Sequence, residues 1–294
     1  MIPPRLLPAL ITPFDASGEP DLEAHVHNLD RLWSAGIRGF LVAGSTGEGP
    51  YLESGERFQL LKAARDQFEQ AFLACGVAAE TVRQALGMIS EAVDGGADSA
   101  LVMTPTTLTR NRPSYVESYF QAVAEASSIP VFLYSVPGVT AFDLPEALVV
   151  SLSQHPNIIG IKDSGGDPVR MQRLAAGVDD GFRLFTGSTQ ALTLAITAGA
   201  YGAITASTNY MPDLLLELVG LAGEDPIKAR DLQRRVSAIS TKVESHGIPG
   251  VKAAAGMIGL RSGLPRPPLA VLGEAEQALI AKSLKSTKYL RLSV

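Results

Sequence analysis

The feature that most constrains this chain is a series of eight short apolar runs separated by stretches of helical periodicity. The runs lie at residues 9–11, 39–42, 72–75, 100–103, 131–134, 158–161, 183–185 and 203–205. They show little polar alternation, as strands buried on both faces do, and alternation with helices is the pattern of βαβ units and a parallel sheet. Asp21 can cap a helix in which Leu22, Val26, Leu29 and Trp33 form one apolar stripe, closed by Gly36. Asp167 before Pro168 supplies an N-cap with proline at the first helical position. A weak repeat, Ala35-Gly36-Ile37, Gly95-Gly96-Ala97 and Ala198-Gly199-Ala200, marks helix ends whose glycine permits a left-handed turn into the next strand. Eight strand–helix units fit a closed (β/α)8 barrel over residues 1–223 better than an open sheet. Beyond that point strand signals stop. Helical patterns at 227–244, 249–258 and 274–285, separated by Gly- and Pro-rich stretches, make residues 224–294 a C-terminal helical appendage.

Composition narrows the function. With 46% apolar and 19% charged residues the chain has the make-up of a packed globular domain. A net charge of -5 with mixed signs gives no basic stripe for a phosphate backbone, so a small molecule is the expected partner rather than nucleic acid. No apolar run approaches the roughly 18 residues of a membrane span, and residues 1–5 lack a charged region followed by a long apolar one. The expectation is a cytoplasmic protein, neither secreted nor embedded. The single cysteine, Cys75, lies in the apolar run Phe72-Leu73-Ala74-Cys75 and reads as a buried, inert thiol.

In such barrels the reacting groups project from the C-terminal ends of the strands. Lys162 ends the sixth run and is the only lysine between Lys62 and Lys228. An amine in apolar surroundings loses hydration, which favours the neutral form that attacks a ketone; the alternative is an ion pair with Asp163. Tyr134 ends the fifth run, so its phenol falls near that amine as a proton shuttle, or serves only as a hydrogen-bonded barrel residue. Gly44-Ser45-Thr46-Gly47-Glu48 follows the second run, where N–H groups and two hydroxyls can converge on a carboxylate or form a plain βα loop. Gly187-Ser188 and the Ile204-Thr205 segment, after the seventh and eighth runs, are secondary ligand contacts. His25 and His27 lie two apart on the helix begun by Asp21, where they face different ways, and a surface helix is expected; no metal is implied.

Together these residues resemble the lysine-dependent pyruvate aldolases related to dihydrodipicolinate synthase and N-acetylneuraminate lyase. The motifs that carry the likeness span nearly the whole chain: Thr12-Pro13-Phe14, Gly44 to Glu48, Thr104-Pro105, Tyr134-Ser135-Val136-Pro137, Ile161-Lys162-Asp163-Ser164 and Gly187-Ser188. The resemblance implies Lys162 as Schiff-base lysine, Tyr134 as proton relay, Thr46 as its hydroxyl partner, and Ser45 with Thr46 on the pyruvate carboxylate. Gly47, Gly187, Ser188 and Ile204 would line the same site. It also implies a barrel, a homotetramer, and no cofactor beyond the covalent imine at Lys162. Two departures narrow the substrate. The chain reads Thr104-Pro105-Thr106-Thr107-Leu108 where synthases carry paired tyrosines, and Gly138-Val139-Thr140 where they place an arginine. The stretch from Tyr134 to Asp167, and Gly247-Ile248-Pro249-Gly250 with Lys252, are most similar to the 4-hydroxy-2-oxoglutarate aldolases. The implied reaction is reversible cleavage of a 4-hydroxy-2-oxo acid to pyruvate and an aldehyde. A 2-keto-3-deoxygluconate-type substrate, synthase-type condensation and a non-catalytic oxo-acid-binding barrel stand as alternatives.

Overall fold

The computed structural model describes residues 2–109 and 111–286. Of eight parallel strands, β1 (Leu6–Pro8), β2 (Gly39–Val42), β3 (Phe72–Val77), β4 (Ser99–Met103), β5 (Val131–Ser135), β6 (Ile158–Asp163), β7 (Arg183–Thr186) and β8 (Gly202–Thr205), β2 to β8 pair in sequence order and β1 pairs with β8. The circle closes where Ala9 bridges to Leu41 and the Leu10 N–H donates to the Leu41 carbonyl at 2.9 Å. This is a (β/α)8 barrel. The first strand sits earlier than the run expected at 9–11: Leu6–Pro8 form the ladder to Ala203–Thr205, and only single contacts to β2 follow. Apolar composition is nearly continuous through both segments, so pairing, not composition, sets where the ladder ends.

Among the described residues nine α-helices surround the barrel: α1 (Leu22–Ser34), α2 (Glu56–Gln67), α3 (Val82–Asp94), α4 (Pro113–Ala126), α5 (Pro137–Thr140), α6 (Glu146–Leu152), α7 (Pro168–Gly177), α8 (Leu192–Thr197) and α9 (Pro212–Glu224). Three more follow, α10 (Pro226–Glu244), α11 (Gly247–Met257) and α12 (Glu274–Ser286), while residues 287–294 of the expected appendage lie outside the described residues. The expected caps form, with Asp21 accepting from the Ala24 N–H and Asp167 from the Val169 N–H. Gly36, Gly96 and Gly199 take the left-handed conformation (φ 103, 89 and 110), which releases each helix into the next strand.

Two layers of apolar packing hold the barrel. Leu7, Leu41, Phe72, Leu101, Phe132 and Phe185 fill the interior, and Val102, Leu133, Ile158 and Ile161 pack outward toward the helices. α1 departs from its expected stripe: Ala24, His25, Asn28, Leu29 and Leu32 are buried, whereas Leu22 is exposed. At Asn28 and His27 the covering chain lies more than two hundred residues away, in the segment after α11. Asn28 exchanges hydrogen bonds with the Arg261 N–H (2.7 Å) and carbonyl (2.8 Å), and His27 Nε2 lies 3.2 Å from the Gly259 carbonyl. α1 is thus an outer amphipathic helix, as expected, with exposed Leu22, Glu23 and Arg31, but His25 lies on its buried face. The His25 imidazole is held down to about 4 by burial, partly offset by a hydrogen bond to the Leu60 backbone.

Candidate active site

Strand β6 aims Lys162 by way of an irregularity. Ile158 packs outward, so strict alternation would turn residue 162 outward as well. The register to β5 instead shifts: Val131 stands opposite Ile158, and Phe132 opposite Gly160. One extra residue in β6 resets the alternation, so Ile161 packs outward and Lys162 enters the barrel. Gly160 makes this possible, since a side chain there would overlap the Arg183 carbonyl and approach Phe132 Cε1 to 2.6 Å.

Beyond the shift the ladder sets Tyr134 opposite Lys162. Both are buried, and Lys162 Nζ lies 4.5 Å from the centroid of the phenol ring. The Tyr134 hydroxyl is hydrogen-bonded with Ser45, Ser164 and Lys162. Burial alone pushes this phenol up; the Lys162 ammonium and these hydrogen bonds outweigh it and hold the group below a phenol's ordinary value. Ser164, quoted in the sequence only as part of a motif, is thus a site residue. Its signal was its parity with Lys162, two positions on, and its backbone N–H is tied to the Ser135 carbonyl at 2.9 Å.

Asp163 does not pair with Lys162. It points to the other side of β6, where its carboxylate meets Arg170 Nε at 2.8 Å and accepts from the Gly165 N–H at 2.9 Å. Arg170 also reaches the Leu144 carbonyl at 2.6 Å and Asp143 at 3.4 Å. The ion-pair reading of Lys162 is thereby answered, because Asp163's charge is satisfied by an arginine from α7.

The turn after β2 brings Ser45 to the phenol. Gly47 is packed so closely that a Cβ would sit 2.7 Å from the Leu10 carbonyl, and its own carbonyl accepts from Thr12 Oγ1 at 2.6 Å. Thr46 is half-buried beside Ser45. Gly187 leaves room for the lysine stem: a side chain there would overlap Ser164 Oγ and stand 3.1 Å from Lys162 Cε. The Ser188 N–H turns back to Thr186 Oγ1 at 3.1 Å, and Ile204 is buried in the barrel interior with Tyr134 and Phe185. On the same rim Glu80, after β3, clamps the loop after β4, accepting from the N–H (3.0 Å) and hydroxyl (2.6 Å) of Thr106 and the N–H of Thr107 (2.9 Å). Burial raises this carboxyl, but the threonine hydrogen bonds prevail and keep it below its usual range. The segment after β5 presents an exposed Val139, and Thr140 Oγ1 bonds the Val136 and Phe142 carbonyls.

An amine and a phenol side by side inside an apolar barrel, with a hydroxyl-bearing turn beside them, can form and hydrolyse an imine with a small oxo acid. Comparison with known proteins points to the same chemistry. The model of the dihydrodipicolinate synthetase family matches residues 3–287. The chain is 31% identical over 283 residues to the 4-hydroxy-tetrahydrodipicolinate synthase of Methanosarcina mazei, covering 95% of this chain and 96% of that one. It is 34% identical over 276 residues to that of Xanthomonas axonopodis pv. citri, covering 92% and 90%. Among solved structures, a dihydrodipicolinate synthase of Bacillus anthracis superposes with a TM-score of 0.92 at 25% identity, over 97% of this chain and 99% of that one. A prophage protein of the same family from E. coli K12, solved in complex with pyruvate, gives 0.91 at 27% identity, over 97% and 98%. Matched over nearly its whole length in both sequence and fold, the chain belongs to the dihydrodipicolinate synthetase family.

Proposed function

We propose that the protein is a Schiff-base pyruvate lyase that reversibly cleaves a 4-hydroxy-2-oxo acid, of the 4-hydroxy-2-oxoglutarate or 2-keto-3-deoxygluconate type, to pyruvate and an aldehyde. The observation that carries this reading is the buried amine of Lys162 beside a Tyr134 phenol that is held below its ordinary value. Lys162 attacks the C2 carbonyl, and Tyr134 returns a proton to the carbinolamine oxygen, which leaves as water. Tyr134 then takes the proton of the C4 hydroxyl; the C3–C4 bond breaks, its electrons pass to the iminium nitrogen, and the aldehyde departs. Protonation of the enamine at C3 and hydrolysis release pyruvate. Ser45, Thr46 and the Gly47 backbone receive the oxo-acid carboxylate, with Gly187, Ser188 and Ile204 bounding the pocket.

The segment after β5, where Val139 and Thr140 offer no cation to a second carboxylate, weighs against a semialdehyde acceptor and equally against 4-hydroxy-2-oxoglutarate, itself a dicarboxylate, and so favours a substrate of the 2-keto-3-deoxygluconate type. A second reading, condensation of pyruvate with an aldehyde, is supported by the curated relatives, which include synthases from Methanosarcina mazei and Streptomyces coelicolor. A homotetramer in the cytoplasm is proposed with the family likeness, and light scattering checks the assembly.

Borohydride reduction in the presence of pyruvate should attach a stable adduct to the Lys162 peptide, and Lys162→Ala should abolish both the adduct and turnover. Pyruvate release from the two hydroxy-oxo acids, set against condensation with aspartate semialdehyde, separates the two directions. Binding of pyruvate without turnover of any of them would leave an oxo-acid-binding barrel.

A further inference from the structure

The C-terminal segment grips the same turn that carries Ser45 and Thr46. Glu48 ends this turn with a left-handed backbone (φ 56, ψ 30), a conformation that glycine or asparagine adopts at less cost. Its side chain is fully buried, with Oε1 2.5 Å from Lys252 Nζ on α11 and Oε2 accepting from the Arg266 N–H at 2.7 Å. Lys252 is buried too; it also donates to the Leu264 carbonyl at 2.6 Å and lies 4.8 Å from the centroid of the Phe14 ring. Arg266 stacks over that same ring at 4.2 Å and runs on to Glu56 and to the carbonyls of Gly18 and Tyr51. A glutamate here therefore accepts both an unfavourable backbone and a desolvated charge.

Stability alone does not account for that choice. Apolar side chains of similar volume often serve a fold as well as a buried ion pair does. The pair adds two anchors: a close ion contact ties the end of the turn to α11, and the hydrogen bond from the Arg266 N–H ties it to the stretch that follows that helix. The constraint passes on to the substrate side, because the Glu48 N–H donates to the Ser45 carbonyl at 3.0 Å and the Ser45 hydroxyl is bonded to Tyr134. On the other flank Thr12 holds the Gly47 carbonyl. We propose that Glu48 and Lys252 are positioning residues, through which the C-terminal helices lock the Gly44–Glu48 turn in the geometry that receives the oxo-acid carboxylate. This rests on the pyruvate reading of the site.

The test is the pyruvate concentration that half-saturates borohydride trapping at Lys162, measured beside the adduct yield at saturation. Lys252→Met should raise the half-saturating concentration by about tenfold or more, while the adduct still forms at saturation. Because that variant leaves a buried carboxylate unpaired and can unfold, the deciding protein is the double variant Glu48→Gln with Lys252→Met. It carries neither charge and keeps an acceptor for the Arg266 N–H. A folded double variant, by circular dichroism, whose half-saturation stays about tenfold high supports the positioning role. Wild-type half-saturation in the double variant overturns it and leaves the pair structural. Absence of any adduct in the wild-type protein overturns the pyruvate reading and this role with it.

Discussion

Tyr134 and Ser164 show how much of the chemistry is settled within a few ångströms. The Ser164 hydrogen bond is one of the contacts that lower the phenol, so Ser164→Ala should move the Tyr134-controlled limb of the pH–rate profile to higher pH. An unmoved limb would detach Ser164 from the phenol. Tyr134→Phe should reduce turnover by about 10²-fold or more if the phenol is the positioned acid and base, and an undiminished rate would remove it from the mechanism. Cys75 lies at the opposite extreme of reactivity. It is fully buried, its thiol pushed up to about 12 by burial and only partly relieved by Arg57. Thiol reagents should leave it untouched in the folded protein and modify it fully in denaturant; rapid native labelling would contradict its burial. The positions of Lys162 and Tyr134 were readable because each ends an apolar run. The partner of Asp163 was not, since Arg170 comes from the next helix and charge adjacency in sequence suggested Lys162 instead.

Among the elements, β6 contributes most to function through its one irregularity. Gly160→Ala places a methyl group against the Phe132 ring and the Arg183 carbonyl, so the strand must straighten or shift. The expected result is a loss of about 1–3 kcal/mol in stability, with a larger proportional loss of imine trapping than of folded protein. Trapping equal to wild type in the folded fraction would show that Lys162 is aimed without the extra residue. Seven of the eight expected strands overlap observed ones, because a strand buried on both faces announces itself by an apolar run bounded by turn residues. The bulge was hidden, for in a run apolar on both faces no polar residue records which side each position takes. The mismatch at β1 has a similar origin: Leu6 to Ile11 is apolar almost throughout.

At the scale of the whole molecule, helices packed on one another around the barrel bury polar groups as well as apolar ones, and His25, on α1 beside the Leu60 backbone of α2, is one of them. Burial holds its imidazole down to about 4 in the folded protein against an ordinary 6.5. Between these values the unfolded chain binds a proton that the folded chain refuses. Stability is therefore fully present above about pH 6.5 and declines as the pH falls toward 4, by roughly 3 kcal/mol across the window. Thermal unfolding of His25→Leu should lose that part of the acid dependence, and identical pH slopes in the two proteins would clear His25 of it. No helix among the described residues is long and apolar enough to cross a membrane. The sequence by itself determined the barrel class, the strand ends that bear Lys162 and Tyr134, and the helix caps, because each depends on periodicity or on neighbours a few residues away. Only the tertiary structure decided that Lys162 faces inward, that Ser164 joins the phenol, and that Glu48 is held by Lys252, since these rest on strand register and on contacts up to two hundred residues apart.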